Sequence, residues 1–259
     1  MKELARKFHW VLSTQFGIDL RRMVYSFRGI PRYIAGWFRF RIGYKGKINF
    51  FPCLYDWFEE GGSTKSEYFF QDLYVAQKIN RANPEIHVDV GSRIDGFVAH
   101  VASFREIEIF DIRPVTSSIG GVLFRQADLM SHTPSALRDY CDSLSCLHAL
   151  EHFGLGRYGD PVDPHGYVAG LANISKILRP DGLLYLSVPI GKERVEFNAH
   201  RVFDPSSLVQ LASENELLLR EFVWIGPDLL LNHSSSPEQD MIELGKLRYA
   251  LGIFTFVKQ

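Results

Sequence analysis

The segment HALEHF places two histidines, His148 and His152, four residues apart with Glu151 between them. Imidazole takes up and releases protons near neutral pH, and a neighbouring carboxylate can fix its tautomer, so these three side chains are candidates for general acid–base work. On a helical turn the spacing would send both rings to one side, and the two histidines share the role of base. The same spacing suits a transition metal, but no third ligand lies at a local spacing, and no metal is expected. For His152 alone, a hydrogen-bonded core imidazole is an equal reading.

Two polar stretches follow. GLGRYGDPVDPHG (154–166) groups Arg157, Tyr158 and Asp160 among four glycines, and GKERVEFNAHR (191–201) adds Glu196, Asn198, His200 and Arg201. Such groups can hold an acceptor rich in sugar hydroxyls or phosphate. Turn formation, helix capping and salt bridges between the loops are the structural alternative. A third stretch, HVDVGSRIDGF (87–97), reads as a strand running into a glycine-bearing turn and a helix. Asp89, Gly91, Ser92, Arg93 and Gly96 lie there, where glycine admits a ligand to the backbone and the helix start offers free N–H groups. Asp95 is expected to cap that helix. Its charge disfavours a phosphate and favours a ligand with cationic or hydroxyl groups, a description that fits S-adenosylmethionine.

These residues need elements to position them. Apolar runs at 86–90, 107–112, 121–125, 142–147 and 183–188 read as strands, with two more at 217–225 and 249–257. One helix is expected from a cap at Ser63 or Ser66 to Asn83-Pro84, with Tyr68, Phe69, Leu73, Val75, Ala76 and Ile79 near helical spacing. Another is expected to be capped by Asp163, with Pro164 as its first residue and Pro180 as its end. A third starts at Asp204-Pro205. The alternation predicts a doubly wound α/β sheet, mostly parallel with an antiparallel edge, which binds ligands beyond the carboxyl ends of its strands. Asp111, 20 residues past Gly91 and followed by Ile112, then stands where a carboxylate can accept both ribose hydroxyls. Asp128, followed by Leu129, stands where an adenine amino group can be received.

With these residues in place, the chain resembles class I S-adenosylmethionine-dependent methyltransferases over roughly residues 85–257. Beyond the three acidic positions, the resemblance is carried by HALEHF, ILRPDGLLYLSVP (177–189) and HRVFDPSSLVQL (200–211). More closely it resembles a group filed as a domain of unknown function and associated with bacterial surface-glycan genes. YFFQDLYVAQKI, HVDVGSRIDGFVAH, FDIRPV, EHFGLGRYGDPVDP and VPIGKERVEFNAHRVF carry that match. The resemblance implies a Rossmann-like methyltransferase sheet, S-adenosylmethionine as cofactor, and O-methyl transfer to a sugar or surface-polysaccharide intermediate; a nucleotide- or lipid-linked acceptor would suit the basic amino-terminal part. Two departures stand out. Arg93 occupies the usual second glycine position, with Gly96 one place beyond the third; Arg93 can clamp the methionine carboxylate or fill the pocket. RPVTSSIGG (113–121) is also too short for the usual helix and leaves that flank open. Other readings are glycosyl or other group transfer from a different donor, and a catalytically degenerate fold that binds a glycan or a partner enzyme.

The chain divides by charge near GGST (61–64), into an extension, 1–62, and the methyltransferase-like part, 63–259. Residues 1–47 carry 11 Lys and Arg against two acidic residues, leaving 18 against 28 for the rest. Arginines alternating with aromatics suit the headgroup region of an anionic membrane, but a solvated accessory helical layer is the stronger reading. The acidic remainder argues against nucleic acid. No apolar run approaches the roughly 18 to 20 residues of a membrane span, and no cleavable leader pattern is visible. The expected place is the cytosol, with the inner face of the membrane as a secondary reading. Cys53, Cys141 and Cys146 form no CxxC pair and are expected as buried filler.

Overall fold

The computed structural model describes residues 2–62, 64–131 and 135–259. The chain divides into two compact units, Met1–Ser63 and Thr64–Gln259. The first contains α1 (Lys2–Gln15) and α2 (Leu20–Gly43), the latter capped by Asp19, whose carboxylate accepts the N–H groups of Arg21 and Arg22.

The second unit begins with α3 (Glu67–Ala82). Ser66 caps it through a bond from the Tyr68 N–H, and Asn83 ends it at φ +45 before Pro84. Ser63, the other candidate cap, lies outside the described residues. The elements that follow are β1 (His87–Val90), α4 (Ala99–Ala102), β2 (Ile107–Asp111), β3 (Val122–Gln126) and β4 (Cys141–Leu147), then α5 (Gly166–Ile177) and β5 (Leu178–Ile190). A hairpin, β6 (Arg194–Glu196) and β7 (His200–Val202), precedes α6 (Pro205–Ser213), β8 (Leu217–Ile225), β9 (Leu231–His233), α7 (Pro237–Leu244) and β10 (Ala250–Lys258).

Eight strands form one sheet in the order β3-β2-β1-β4-β5-β10-β8-β9. The first five pair in parallel, and β10, β8 and β9 complete the sheet through antiparallel pairs, the mostly parallel arrangement that the sequence predicts. One face is covered by Leu171 and Ile174 of α5, Leu208 of α6 and Leu244 of α7; the other by Val75 and Ile79 of α3 with Phe97 and Val101. Each such side chain contributes about 1.5–3 kcal/mol on burial. Cys141 and Cys146 are buried in β4, whereas Cys53 is exposed, against the expectation of filler.

Several local expectations are corrected. Asp163 does not cap α5: its carboxylate accepts the N–H of His165 and its carbonyl that of Gly166, so Pro164 stays in a turn outside the helix. The helix ends at Ile177 because the Lys176 and Ile177 carbonyls accept the N–H groups of Asp139 and Tyr140. The chain is then extended from Leu178, with the Pro180–Gly182 stretch absorbed as a bulge that includes Asp181 at φ +61. Asp95 does not act as the helix cap either. Arg93 holds that position without a side-chain cap bond, ahead of one irregular turn, Ile94–Val98, and its guanidinium pairs with Asp95. On α3, Phe69 and Leu73 are exposed, and Gln71 and Asp72 share the buried stripe with Val75, Ala76 and Ile79. Asp204 does cap α6, accepting the Ser207 N–H with Pro205 in the first turn.

Candidate functional site

The carboxyl ends of β1, β2, β3 and β4 open into a cavity of about 410 Å³. Gly91, Ser92, Arg93, Asp111, Ile112, Asp128, Leu129, His148, His152, Arg157, Tyr158 and Asp160 line it, so most sequence candidates converge on one space.

The floor is built by β1 and its turn. Asp89 is fully buried and accepts three hydrogen bonds, from the Ser92 N–H (3.0 Å), the Ser92 hydroxyl (2.7 Å) and the Ser145 hydroxyl (2.6 Å). It therefore shapes the turn from behind the wall. Gly91 has φ +70, and a Cβ there would sit 3.0 Å from that of Ala149. Gly96 also falls outside the lining; it is glycine because a Cβ would come within 2.7 Å of Asp72 Oδ2. Behind Asp89, His87 bonds Ser143 through Nδ1 (2.8 Å) and Ser145 through Nε2 (3.1 Å). Since the Ser145 proton goes to Asp89, Nε2 of His87 must donate, and the ring is neutral.

Burial lowers His87 to about 3 and raises Asp89 to about 6. These shifts oppose one another in acid. As pH falls from 6.5 toward 3, the unfolded chain protonates His87 and the native one does not, so stability is lost. Between about 6 and the ordinary carboxylate value the native chain holds an extra proton on Asp89, so stability is gained. His87→Gln is expected to gain on the order of 1–2 kcal/mol relative to the parent between pH 7 and pH 5. Thermal midpoints of both proteins across that range check it; parallel curves would contradict it.

Arg93, which can in principle plug the pocket, does not. Its guanidinium pairs with Asp95 at 2.8 Å with both side chains largely exposed, and the cavity beside it stays open. Asp111 is less free than the sequence indicates. Oδ1 accepts the Arg113 N–H (2.8 Å) and Nε (3.0 Å), and Oδ2 accepts Nη2 (2.6 Å). Arg113 comes from the short β2–β3 connection, which contains no helix, and its Cζ lies 4.4 Å from the centre of the Tyr158 ring. Asp128 accepts the Met130 N–H through Oδ1. The sequence reading missed Arg113 and the α3 wall of Tyr68, Gln71 and Asp72, all of which line the cavity. The signal was there: Gln71 and Asp72 are polar residues on an otherwise apolar helical stripe. Burial raises the Asp72 carboxyl, against a hydrogen bond from Gln71 (2.8 Å).

The two histidines do not share a helical turn. His148 sits at φ +51 just after β4, and a short turn, Leu150–His152, follows. Glu151 lies behind them, 1% exposed, with Oε1 at 2.9 Å from His148 Nδ1 and 3.7 Å from His152 Nε2. Burial opposes its charge, yet the hydrogen bond from His148 and the two imidazoles hold its carboxyl below the ordinary range. A carboxylate only accepts, so His148 carries its proton on Nδ1, and its buried Nε2 has no partner among the described residues. The Tyr68 ring stacks on it with centroids 4.3 Å apart. In His152, Nδ1 faces the Arg157 guanidinium at 3.5 Å, and burial keeps the ring below the usual histidine range.

The outer cluster stays off the cavity. Glu196 pairs with Arg194, Asn198 is exposed, and His200 faces the Tyr249 ring, all on or beside the β6–β7 hairpin. Arg201 is buried, donating to the carbonyls of Glu151, Phe153 and Pro164, so it stitches the β4 turn to the glycine-rich loop. Asp160 lines the rim but also orders the loop, accepting the N–H groups of Gly156 and Tyr158. Gly154, at φ +76, is packed so closely on the Asp163 carbonyl that a Cβ would collide with it. Gly154→Ala is expected to cost at least about 2 kcal/mol, read as a lowered denaturant midpoint. Among the described residues no group of three or more His, Cys, Asp or Glu is placed to hold a metal ion.

A family model described as Caenorhabditis protein of unknown function, DUF268, matches residues 124–227, which include the β4 turn, the glycine-rich loop and the β6–β7 hairpin. No curated protein matches the chain. Among solved structures, a Burkholderia thailandensis 1,6-didemethyltoxoflavin-N1-methyltransferase, with bound 1,6-didemethyltoxoflavin and S-adenosylhomocysteine, is 16% identical. It covers 76% of this chain and 80% of its own at a TM-score of 0.54. The cyclase SpnF is 13% identical, over 72% of this chain and 81% of its own, at 0.51. Haemonchus contortus phospholethanolamine N-methyltransferase 2, in complex with phosphomonomethylethanolamine and S-adenosylhomocysteine, is 10% identical, over 73% and 52%, at 0.50. The second unit thus has the Rossmann-like fold of these methyltransferases, a fold that the cyclase shares.

Proposed function

We propose that the protein is an S-adenosylmethionine-dependent O-methyltransferase acting on a sugar or surface-polysaccharide intermediate. The observation that carries this is one cavity with acidic residues at consecutive strand ends on one side and an unpartnered, carboxylate-backed imidazole on the other. The residues fit the cofactor: Asp111 and Asp128 are acceptors for the adenosine, and Arg93 or Asp72 can meet the carboxylate or ammonium of the methionine end. When bound, S-adenosylmethionine supplies a methyl group already activated by its sulfonium. The chain then has to hold an acceptor hydroxyl and remove its proton. His148 Nε2 takes that proton as the oxygen–carbon bond forms, and the Glu151 carboxylate stabilises the resulting imidazolium. Arg157 and Tyr158 on the rim suit a hydroxyl-rich or anionic acceptor, the class that the sequence resemblance also implies.

A second reading has one specific support. Asp111 is occupied by Arg113, which favours a cofactor-type fold holding another donor or a non-catalytic ligand. Mass spectrometry of small molecules retained by the purified protein separates the two, with S-adenosylhomocysteine expected. Saturating S-adenosylhomocysteine, at about 100 times its Kd, is expected to add about 2.7 kcal/mol of stability. No thermal shift with either cofactor form would defeat the methyltransferase reading; label transfer from S-adenosylmethionine to a glycan extract tests the acceptor class.

A further inference from the structure

Helix α2 contains six arginines and no acidic residue. At roughly 100° per residue, Leu20, Val24, Phe27, Ile34, Phe38 and Ile42 fall in one stripe about 80° wide. All six are exposed, from Leu20 at 46% to Ile42 at 78%. Arg21, Arg28 and Arg39 fall within about 20° of one another along one border of that stripe. The opposite face already has its packing partners. Gly29 is buried under the Leu54 carbonyl, Tyr25 packs on Tyr55 and Phe58, and the Arg32 guanidinium lies 2.9 Å from the Trp57 ring centre. The apolar stripe is therefore not needed by the core of its own unit.

We propose that α2 lies in the plane of an anionic lipid bilayer surface, its apolar stripe at the acyl boundary and its arginine row on the lipid phosphates. An interfacial helix has this composition: a continuous apolar face rich in Phe, Leu and Ile, and a cationic border whose long stems let the charge reach the headgroups. No helix among the described residues is long and apolar enough to cross a membrane, which is consistent with an in-plane position. Charge decides between the two occupants that such a stripe suits. A second copy of the chain would bring one all-positive row toward another, whereas an anionic surface complements it, at about fivefold in affinity per basic residue.

The test is co-sedimentation of the full chain with vesicles of phosphatidylcholine alone or mixed with phosphatidylglycerol, at low and high salt. It needs neither cofactor nor acceptor, so it stands apart from the proposed chemistry. Binding to the mixed vesicles is expected, reduced by salt and at least about tenfold weaker on the neutral ones. Arg21→Glu with Arg39→Glu is expected to weaken it by more than about 25-fold, and Phe27→Ser with Ile42→Ser to abolish it. Unchanged circular dichroism of these surface variants excludes misfolding. Equal binding to both vesicle types, no binding to either, or self-association that Phe27→Ser removes without any vesicle binding would each overturn the proposal.

Discussion

Replacing His148 by Gln is expected to lower kcat by about 10² to 10⁴-fold, with the affinity for S-adenosylhomocysteine held within about threefold. The reason is the arrangement of one proton. Glu151, kept charged despite its burial, accepts from Nδ1 at 2.9 Å and so leaves the Nε2 lone pair free. Glutamine cannot accept a proton there, while the cavity wall built by Tyr68 and Ala149 is kept. Glu151→Gln is expected to lower kcat less, by about 10 to 100-fold, because the ring stays in place and only the counter-charge to the imidazolium is lost. His152→Gln serves as the control. Its Nδ1 faces the Arg157 guanidinium, so a change of less than about tenfold is expected. A kcat for His148→Gln within about fivefold of the parent, or a larger loss in His152→Gln, would remove His148 from the chemistry.

What the sequence made legible was what depends on periodicity. The alternation of apolar runs with capped helices specified the parallel sheet, and the strand-end rule then placed Gly91, Ser92, Asp111, Asp128 and His148 on one cavity. Side-chain choices between partners were not legible. Nothing in RPVTSSIGG says that Arg113 folds back onto Asp111 two residues earlier, because that pairing depends on a loop conformation that has no period. Likewise the 148/152 spacing suggested a helical pair, whereas a positive φ at His148 turns its ring toward Glu151. Arg201 and Glu196, grouped as recognition residues by their polarity, serve the scaffold: one ties carbonyls together, the other pairs with Arg194 two residues away. Composition reports that a loop is polar and leaves open whether its charges face a ligand or one another.

Asp111→Ala and Arg113→Ala are expected to move cofactor affinity in opposite directions. Asp111 has about four acceptor positions, and Arg113 holds three of them through its N–H, Nε and Nη2. A ribose presenting two hydroxyls needs more than the one left, so the guanidinium must give way as the nucleoside enters. It has an alternative partner at hand, because its Cζ already lies 4.4 Å from the Tyr158 ring centre. Charge-assisted hydrogen bonds are worth about 1.5–3 kcal/mol each, and losing both in Asp111→Ala is expected to weaken S-adenosylhomocysteine binding by at least about 100-fold. Removing the competing guanidinium in Arg113→Ala should tighten it by about three- to tenfold. With Arg113 45% exposed, freeing it from Asp111 leaves a solvated charge, so the folded state tolerates Asp111→Ala. Calorimetric titration of both variants reads the signs directly. If Arg113→Ala weakens binding as much as Asp111→Ala, the ion pair is itself the binding element, and the cavity holds an anionic ligand on Arg113 instead of a ribose on Asp111.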